Sequence, residues 1–217
     1  MRDVQSDEEV VRRVVAGEVE LFELLVRRHN QRLFRAVRSI VRNDADAEDA
    51  LQVAYVNAWR RLETFGERAK FTTWMTRIAL RTASEVARSR EQRADFLESD
   101  ERALDAEPTP TAAPDQDITR REVAKLLEQS IDELPELYRV VFVLRMLEEN
   151  STADVATHLG LTEAAVKVRL HRARELLRNG LLQRAVELGA LEDTWSIGGE
   201  RCDRIVQGVF ARIRPGK

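Results

Sequence analysis

The chain has 217 residues, 35 Lys and Arg against 38 Asp and Glu, a net charge of −3, and one cysteine. That length holds one or two small domains with a real core. Cys202 alone excludes an intramolecular disulfide and points to a reducing compartment. No run reaches the roughly 18 apolar residues of a membrane span, and the start MRDVQSDEEVV lacks the apolar core of a secretion signal, so a cytoplasmic protein without membrane insertion is expected.

Nine Gly, five Pro and few aromatics in a background of Leu, Val, Ala, Arg and Glu favour an all-α protein. The near-neutral total hides blocks of opposite sign. From Trp59 to Arg93 nine cations face four acids, giving +5; from Asp95 to Thr119 eight acids face one Arg, giving −7. The expected architecture is two helical domains on a flexible acidic linker, the C-terminal one carrying a helix-turn-helix, with boundaries at 1–94, 95–119, 120–182 and 183–217.

In chain order, Leu21, Leu24, Leu25, Leu33, Phe34, Val37, Ile40 and Val41 recur at helical spacing until Asn43-Asp44 breaks the pattern. A helix then begins near Ala45, with Asp46, Glu48 and Asp49 placed against its positive N-terminus. Ala47, Ala50, Leu51, Ala54, Tyr55, Ala58, Trp59 and Leu62 form its apolar stripe. Asp49, Gln52, Val53, Val56 and Arg60 lie opposite. Two valines there suit either a partner helix or a wider burial than the stripe implies, and periodicity alone does not separate these.

A short basic loop, Thr64 to Lys70, includes Phe65, Gly66, Arg68 and Lys70, and a long helix from Phe71 to about Arg93 follows, its inner side at Trp74, Met75, Ile78 and Val86. Arg77, Arg81 and Arg88 share one stripe of it. Cations beside aromatics suit capture of a single nucleic-acid strand. Phe71 and Trp74 keep helical spacing with Ile78 and are read as core first, which leaves the loop Gly66 to Lys70 as the better place for a flipped base.

The proline-bearing acidic stretch reads as a tether. Beyond it come four helical stretches, Arg120–Ile131, Pro135–Leu147, Thr152–Leu159 and Glu163–Leu182. The last two form the helix-turn-helix. Ala156 is small where two helices approach, Gly160 supplies the turn, Thr162 caps the second helix, and Val166 and Leu170 face inward. Lys167, Arg169, Arg172, Arg174 and Arg178 on its other faces outnumber Glu163 and Glu175, as a helix lying on DNA phosphates requires.

Residues 183–217 carry Trp195, Ile197, a Gly198-Gly199 break and a narrow apolar stripe of Ile205, Val206, Val209, Phe210 and Ile213. A helix of that length is stable only when docked. It is expected as a cap on its own C-terminal domain, the rival being a latch over the DNA helix or a site for a regulatory partner.

DAEDALQVAYVNAWRRLETF (46–65) and FTTWMTRIALRTASEVARSR (71–90) resemble region 2 of bacterial sigma factors. ELPELYRVVFVLRMLEENSTADVATHLGLTEAAVKVRLHRARELL (133–177) resembles region 4. In this order across an acidic linker, the pair resembles the compact extracytoplasmic-function group of the sigma-70 family. The resemblance implies a protein that joins core RNA polymerase and directs initiation at promoter DNA. It assigns Asp46, Glu48, Asp49 and Gln52, and with them the face bearing Val53 and Val56, to the clamp helices of the polymerase β′ subunit. It assigns Phe65, Gly66, Arg68, Lys70, Trp74, Arg77, Arg81 and Arg88 to opening and reading the −10 element, and Lys167, Arg169, His171, Arg172 and Arg174 to the −35 element. An anti-sigma factor is implied as a further partner. Glu149-Asn150-Ser151-Thr152 departs from the family's Gly-Leu-Ser-Tyr-like approach to the helix-turn-helix.

No phosphate loop, metal-ligand spacing or catalytic constellation is present in the sequence, so no enzyme activity and no cofactor are expected; the acids at 46–49 are explained by a helix N-terminus and by docking. The rivals are a helix-turn-helix regulator acting on an operator without the polymerase, and a helical adaptor that never touches DNA.

Overall fold

Asn43 shows how closely local chemistry sets the element boundaries. Arg42 ends one helix in the left-handed region (φ 68°), and the Asn43 side chain accepts from Asp46 N at 2.8 Å to start the next. In the computed structural model, which describes residues 5–66, 70–97, 119–177 and 179–213, ten α-helices follow one another. The first half holds α1 (Asp7–Val15), α2 (Phe22–Val41), α3 (Asp44–Trp59) and α4 (Phe71–Leu97). Its core is Phe22, Leu25, Leu33 and Phe34 from α2, Leu51 and Tyr55 from α3, and Phe71 and Met75 from α4, all buried. The Tyr55 hydroxyl donates to Val26 O at 3.2 Å. Of the expected inner residues of α4, only Met75 is fully buried; Trp74, Ile78 and Val86 sit at the core's margin. Ala79 and Ala83 take the centre, because small side chains let α4 approach α2 and α3.

The second half holds α5 (Arg120–Asp132), α6 (Glu136–Phe142), a π-helical turn over Val143–Leu147, α7 (Thr152–Leu159) and α8 (Glu163–Leu176). Thr119 and Glu122 make a reciprocal capping box at α5. The single helix expected over Glu163–Leu182 is corrected. It stops at Leu177, whose backbone is extended (φ −69°, ψ 128°), and resumes as α9 (Asn179–Glu187). The acidic stretch from 98 to 118, with Arg68 and Arg178, lies outside the described residues.

The two halves pack directly, α2 against α6 and the π-turn, α4 against α7. Buried arginines stitch the seam. Arg139 donates from Nε to Ser39 O at 2.5 Å and from Nη1 to Leu134 O at 2.6 Å. Arg38 forks onto Asp132 at 2.8 and 2.7 Å and reaches Asp44 at 2.9 Å. A buried guanidinium without such partners is strongly unfavourable, so these bonds fix the register of the halves.

The expectation for the C-terminal segment is also corrected. α9 packs on α5, but α10 (Gly199–Ile213) docks on α3 and α2 of the other half and leaves α8 uncovered. The stripe of Ile205, Val206, Val209, Phe210 and Ile213 is buried there as an apolar face must be, yet against the N-terminal half, not as a cap on the second.

Candidate polymerase and nucleic-acid interfaces

The helix-turn-helix is built by the residues that its sequence marks. Gly160 adopts φ 65°, the Thr162 side chain accepts from Ala165 N at 3.1 Å, and Ala156, Val166 and Leu170 are buried. α8 therefore turns Lys167, His171, Arg172 and Arg174 to solvent, with Arg169 half-buried. Glu175 pairs with Arg172 at 2.8 Å and with His171 at 3.3 Å. Val168, which the charge pattern did not single out, is 62% exposed among these cations.

Along α4 the cations Arg77, Arg81 and Arg88 are exposed, as is Lys70 just ahead of it. Phe65, Phe71 and Trp74 form a mutual cluster with ring centroids 5.4–5.9 Å apart. Phe71 is fully buried, while Phe65 and Trp74 are half-buried against the core. Gly66 is exposed beside them. Arg32, Lys70, Thr72, Thr73, Asn150, Asp154 and His158 line a cleft of about 350 Å³ where α7 meets the start of α4. Both ring nitrogens of His158 are buried without a partner, and burial holds its pKa below the usual value.

The face of α3 is divided. Asp49 and Val53 are exposed, whereas Gln52 and Val56 are only 8% and 6% exposed. The sequence left a partner helix and wider burial open; both are present, since Val56 belongs to the buried core while Gln52 is covered by Gly208 and Arg212 of α10. Glu48 takes both hydrogen bonds of the Arg204 guanidinium at 2.9 Å, Gln52 accepts from Arg212 at 2.9 Å, and Asp46 pairs with Arg90. Sequence reasoning missed Arg201, Arg204 and Arg212. Their signal is a row of cations at steps of three to eight along one edge of the α10 stripe, matching Asp44 and Glu48 on α3.

Comparison with known proteins agrees with this layout. The family model "Sigma-70 region 2" matches residues 25–93, and "Sigma-70, region 4" matches residues 124–177. The chain belongs to the sigma-70 family of RNA polymerase sigma factors, in its extracytoplasmic-function group. It is 32% identical to the RNA polymerase sigma-H factor of Pseudomonas aeruginosa over 187 residues, covering 82% of this chain and 94% of that protein. It is 28% identical to the ECF RNA polymerase sigma factor SigW of Bacillus subtilis over 184 residues, covering 79% and 94%. Among solved structures, CnrH in complex with the cytosolic domain of CnrY aligns with a TM-score of 0.58 at 27% identity, covering 83% of this chain and 99% of that one. Residues from 178 onward, which include α9 and α10, lie outside both matched family ranges. Among the described residues no helix is long and apolar enough to cross a membrane.

Proposed function

We propose that this sigma factor acts in the cytoplasm, without chemistry of its own, through three separate surfaces. Asp46, Glu48, Asp49, Gln52, Val53 and Val56 on α3 dock on the clamp helices of the β′ subunit of core RNA polymerase. The residues from Phe65 to Lys70, with Trp74, Arg77, Arg81 and Arg88 on α4, open and read the −10 element of promoter DNA. Lys167, Arg169, His171, Arg172 and Arg174 on α8 read the −35 element. An exposed Val168 beside them suits the methyl group of thymine. CnrH is described in complex with the cytosolic domain of CnrY, and a related structure holds the sigma factor RpoE with the anti-sigma factor NepR, which supports an anti-sigma partner for this chain too.

The observation that carries the reading is the pairing of both family regions, in order, with a cationic recognition helix left open to solvent. Run-off transcription tests it. At saturating protein, purified core enzyme should initiate from cognate promoters only when this chain is present, and alanine at Lys167, Arg169, His171 and Arg172 together should abolish dependence on the −35 element. Tight operator-like binding by the chain alone, with no association with core enzyme at any concentration, would instead favour the helix-turn-helix regulator.

A further inference from the structure

The α3 face assigned to the polymerase is already occupied. α3 and α10 run side by side in the same direction, since Arg201 pairs with Asp44 (2.9 Å), Arg204 with Glu48 (2.9 Å), and Arg212 with Gln52 (2.9 Å). Between these contacts Gly208 lies against the Gln52 carboxamide. A Cβ there would stand 2.3 Å from Gln52 Oε1, so the Gln52 carboxamide keeps its place against α10 only while position 208 is glycine, at a mid-helix position that otherwise disfavours it. Arg201 also lies over the Phe34 ring at 5.0 Å.

The segment ahead of α10 is gripped from both halves of the molecule. Gln31 on α2 bonds the backbone at Trp195 and Ile197 (3.0 and 2.8 Å), and Arg35 donates to Thr194 O at 2.8 Å. From α5, Glu128 accepts from Trp195 N at 2.5 Å, and Arg120 pairs with Asp193 at 2.5 Å. This strap holds the two halves against each other and delivers α10 to α3.

We propose that residues 183–213 are an inhibitor in cis: α10 occupies the polymerase-docking face of α3 while the strap before it keeps the two DNA-binding halves clasped, so the chain must release its own C-terminal segment to join core enzyme. The inference rests on the polymerase-docking reading of α3. Three features fit inhibition better than a simple stabilising cap. The covered residues, Glu48 and Gln52, belong to the docking face, whereas the cations of α8 are left open. Asp49 and Val53 on the same face stay exposed, a foothold from which a competing helix can displace α10. The charges are complementary in register, as a competitor for an acidic docking face requires.

The test uses the full-length chain. Arg204→Glu with Arg212→Glu reverses two exposed cations of α10 and leaves every docking residue itself unsubstituted. Hydrogen exchange over residues 44–60 should rise, and affinity for core RNA polymerase should increase by about tenfold or more, because a binding-competent state that is rarely populated lowers apparent affinity by its population. A synthetic peptide of residues 199–213 added in trans should reverse the gain, and a scrambled peptide should not. Gly208→Leu, which expels the Gln52 carboxamide from its place against α10 and so loosens the contact by bulk instead of charge, should give a gain in the same direction. Equal affinity of the wild-type and both variants, with exchange showing α10 released, overturns the inhibitor while leaving the docking reading intact. Failure of every form to bind core enzyme overturns the docking reading, and this inference with it.

Discussion

Gln31 treats the main chain beside Trp195 as a second strand would: its Nε2 donates to Trp195 O at 3.0 Å while its Oε1 accepts from Ile197 N at 2.8 Å. One carboxamide thereby satisfies a donor and an acceptor of a segment that has no helix or sheet of its own at that point. Trp195 is held there in a left-handed conformation (φ 46°), its indole covered by the Arg38 guanidinium at 4.9 Å.

Gln31→Ala should therefore weaken the strap by about 1 kcal/mol, since two part-buried backbone groups lose their partner. The effect should appear as faster hydrogen exchange across residues 194–213 with little change at α8. Exchange unchanged at Trp195 and Ile197 would mean that the contact contributes nothing to docking.

A pH dependence follows from the seam between the halves. Glu148 is buried against α2, facing Arg35 (Nη1 to Oε1, 3.4 Å) and Arg32 (Nε to Oε2, 3.8 Å), with Glu149 adding repulsion. Both arginines are largely engaged elsewhere, Arg35 with Thr194 O and Arg32 with Asn150, so burial dominates and lifts the carboxyl from 4.5 to about 7. The docked state then keeps a proton that an opened state releases. Its contribution is full below pH 4.5 and is lost as pH rises through 7. Glu148→Gln, which mimics the protonated acid, should raise the melting temperature at pH 7.5 and flatten its fall between pH 5 and 7. A variant less stable than wild-type at pH 7.5 would show that the arginines, not burial, govern this carboxylate.

Glu149 stands where the family pattern has glycine, and its backbone keeps the left-handed form that glycine favours (φ 51°). Glu149→Gly should relieve that strain and stabilise the fold by up to about 1 kcal/mol, less the entropy that glycine adds to the unfolded chain. Thermal unfolding of the two forms at one pH checks it; a clear loss of stability would place the strain elsewhere.

The same segment shows what the sequence could and could not convey. Its departure from the family pattern was legible as residue types, but not that Glu148 and Asn150 would meet Arg35 and Arg32 from α2, because a contact across more than a hundred residues leaves no local periodicity. Stripes such as Leu51 and Tyr55, or Val166 and Leu170, were legible because burial repeats at helical spacing. α10 was legible as a helix needing a partner, yet an apolar stripe does not say which surface receives it. The break at Leu177 was missed because the strong helix formers around it outweighed the turn signal of Asn179-Gly180.

Glu175 sets up the last prediction. It lies on α8 within 2.8 Å of Arg172 and 3.3 Å of His171, so it holds two of the residues proposed to read the −35 element and adds a negative charge to the proposed phosphate-facing surface. Glu175→Ala should strengthen binding to all DNA sequences alike, by an amount that shrinks at high salt, because it removes repulsion without adding base contacts. Lys167 and Arg172 act differently. They are exposed on the same helix as Arg169, two to five residues apart, a spacing that lets one reach a base edge while another meets the backbone. Alanine at the base-reading position should cost about 1–3 kcal/mol and relax preference at one promoter position, whereas alanine at the phosphate contact should weaken every sequence and lower the salt slope by about one. Arg172 or Lys167 is expected to show the first behaviour. Binding to a −35 library across a salt series measures all of these together, and sequence preference left intact by alanine at Lys167, Arg169, His171 and Arg172 would remove α8 from promoter recognition.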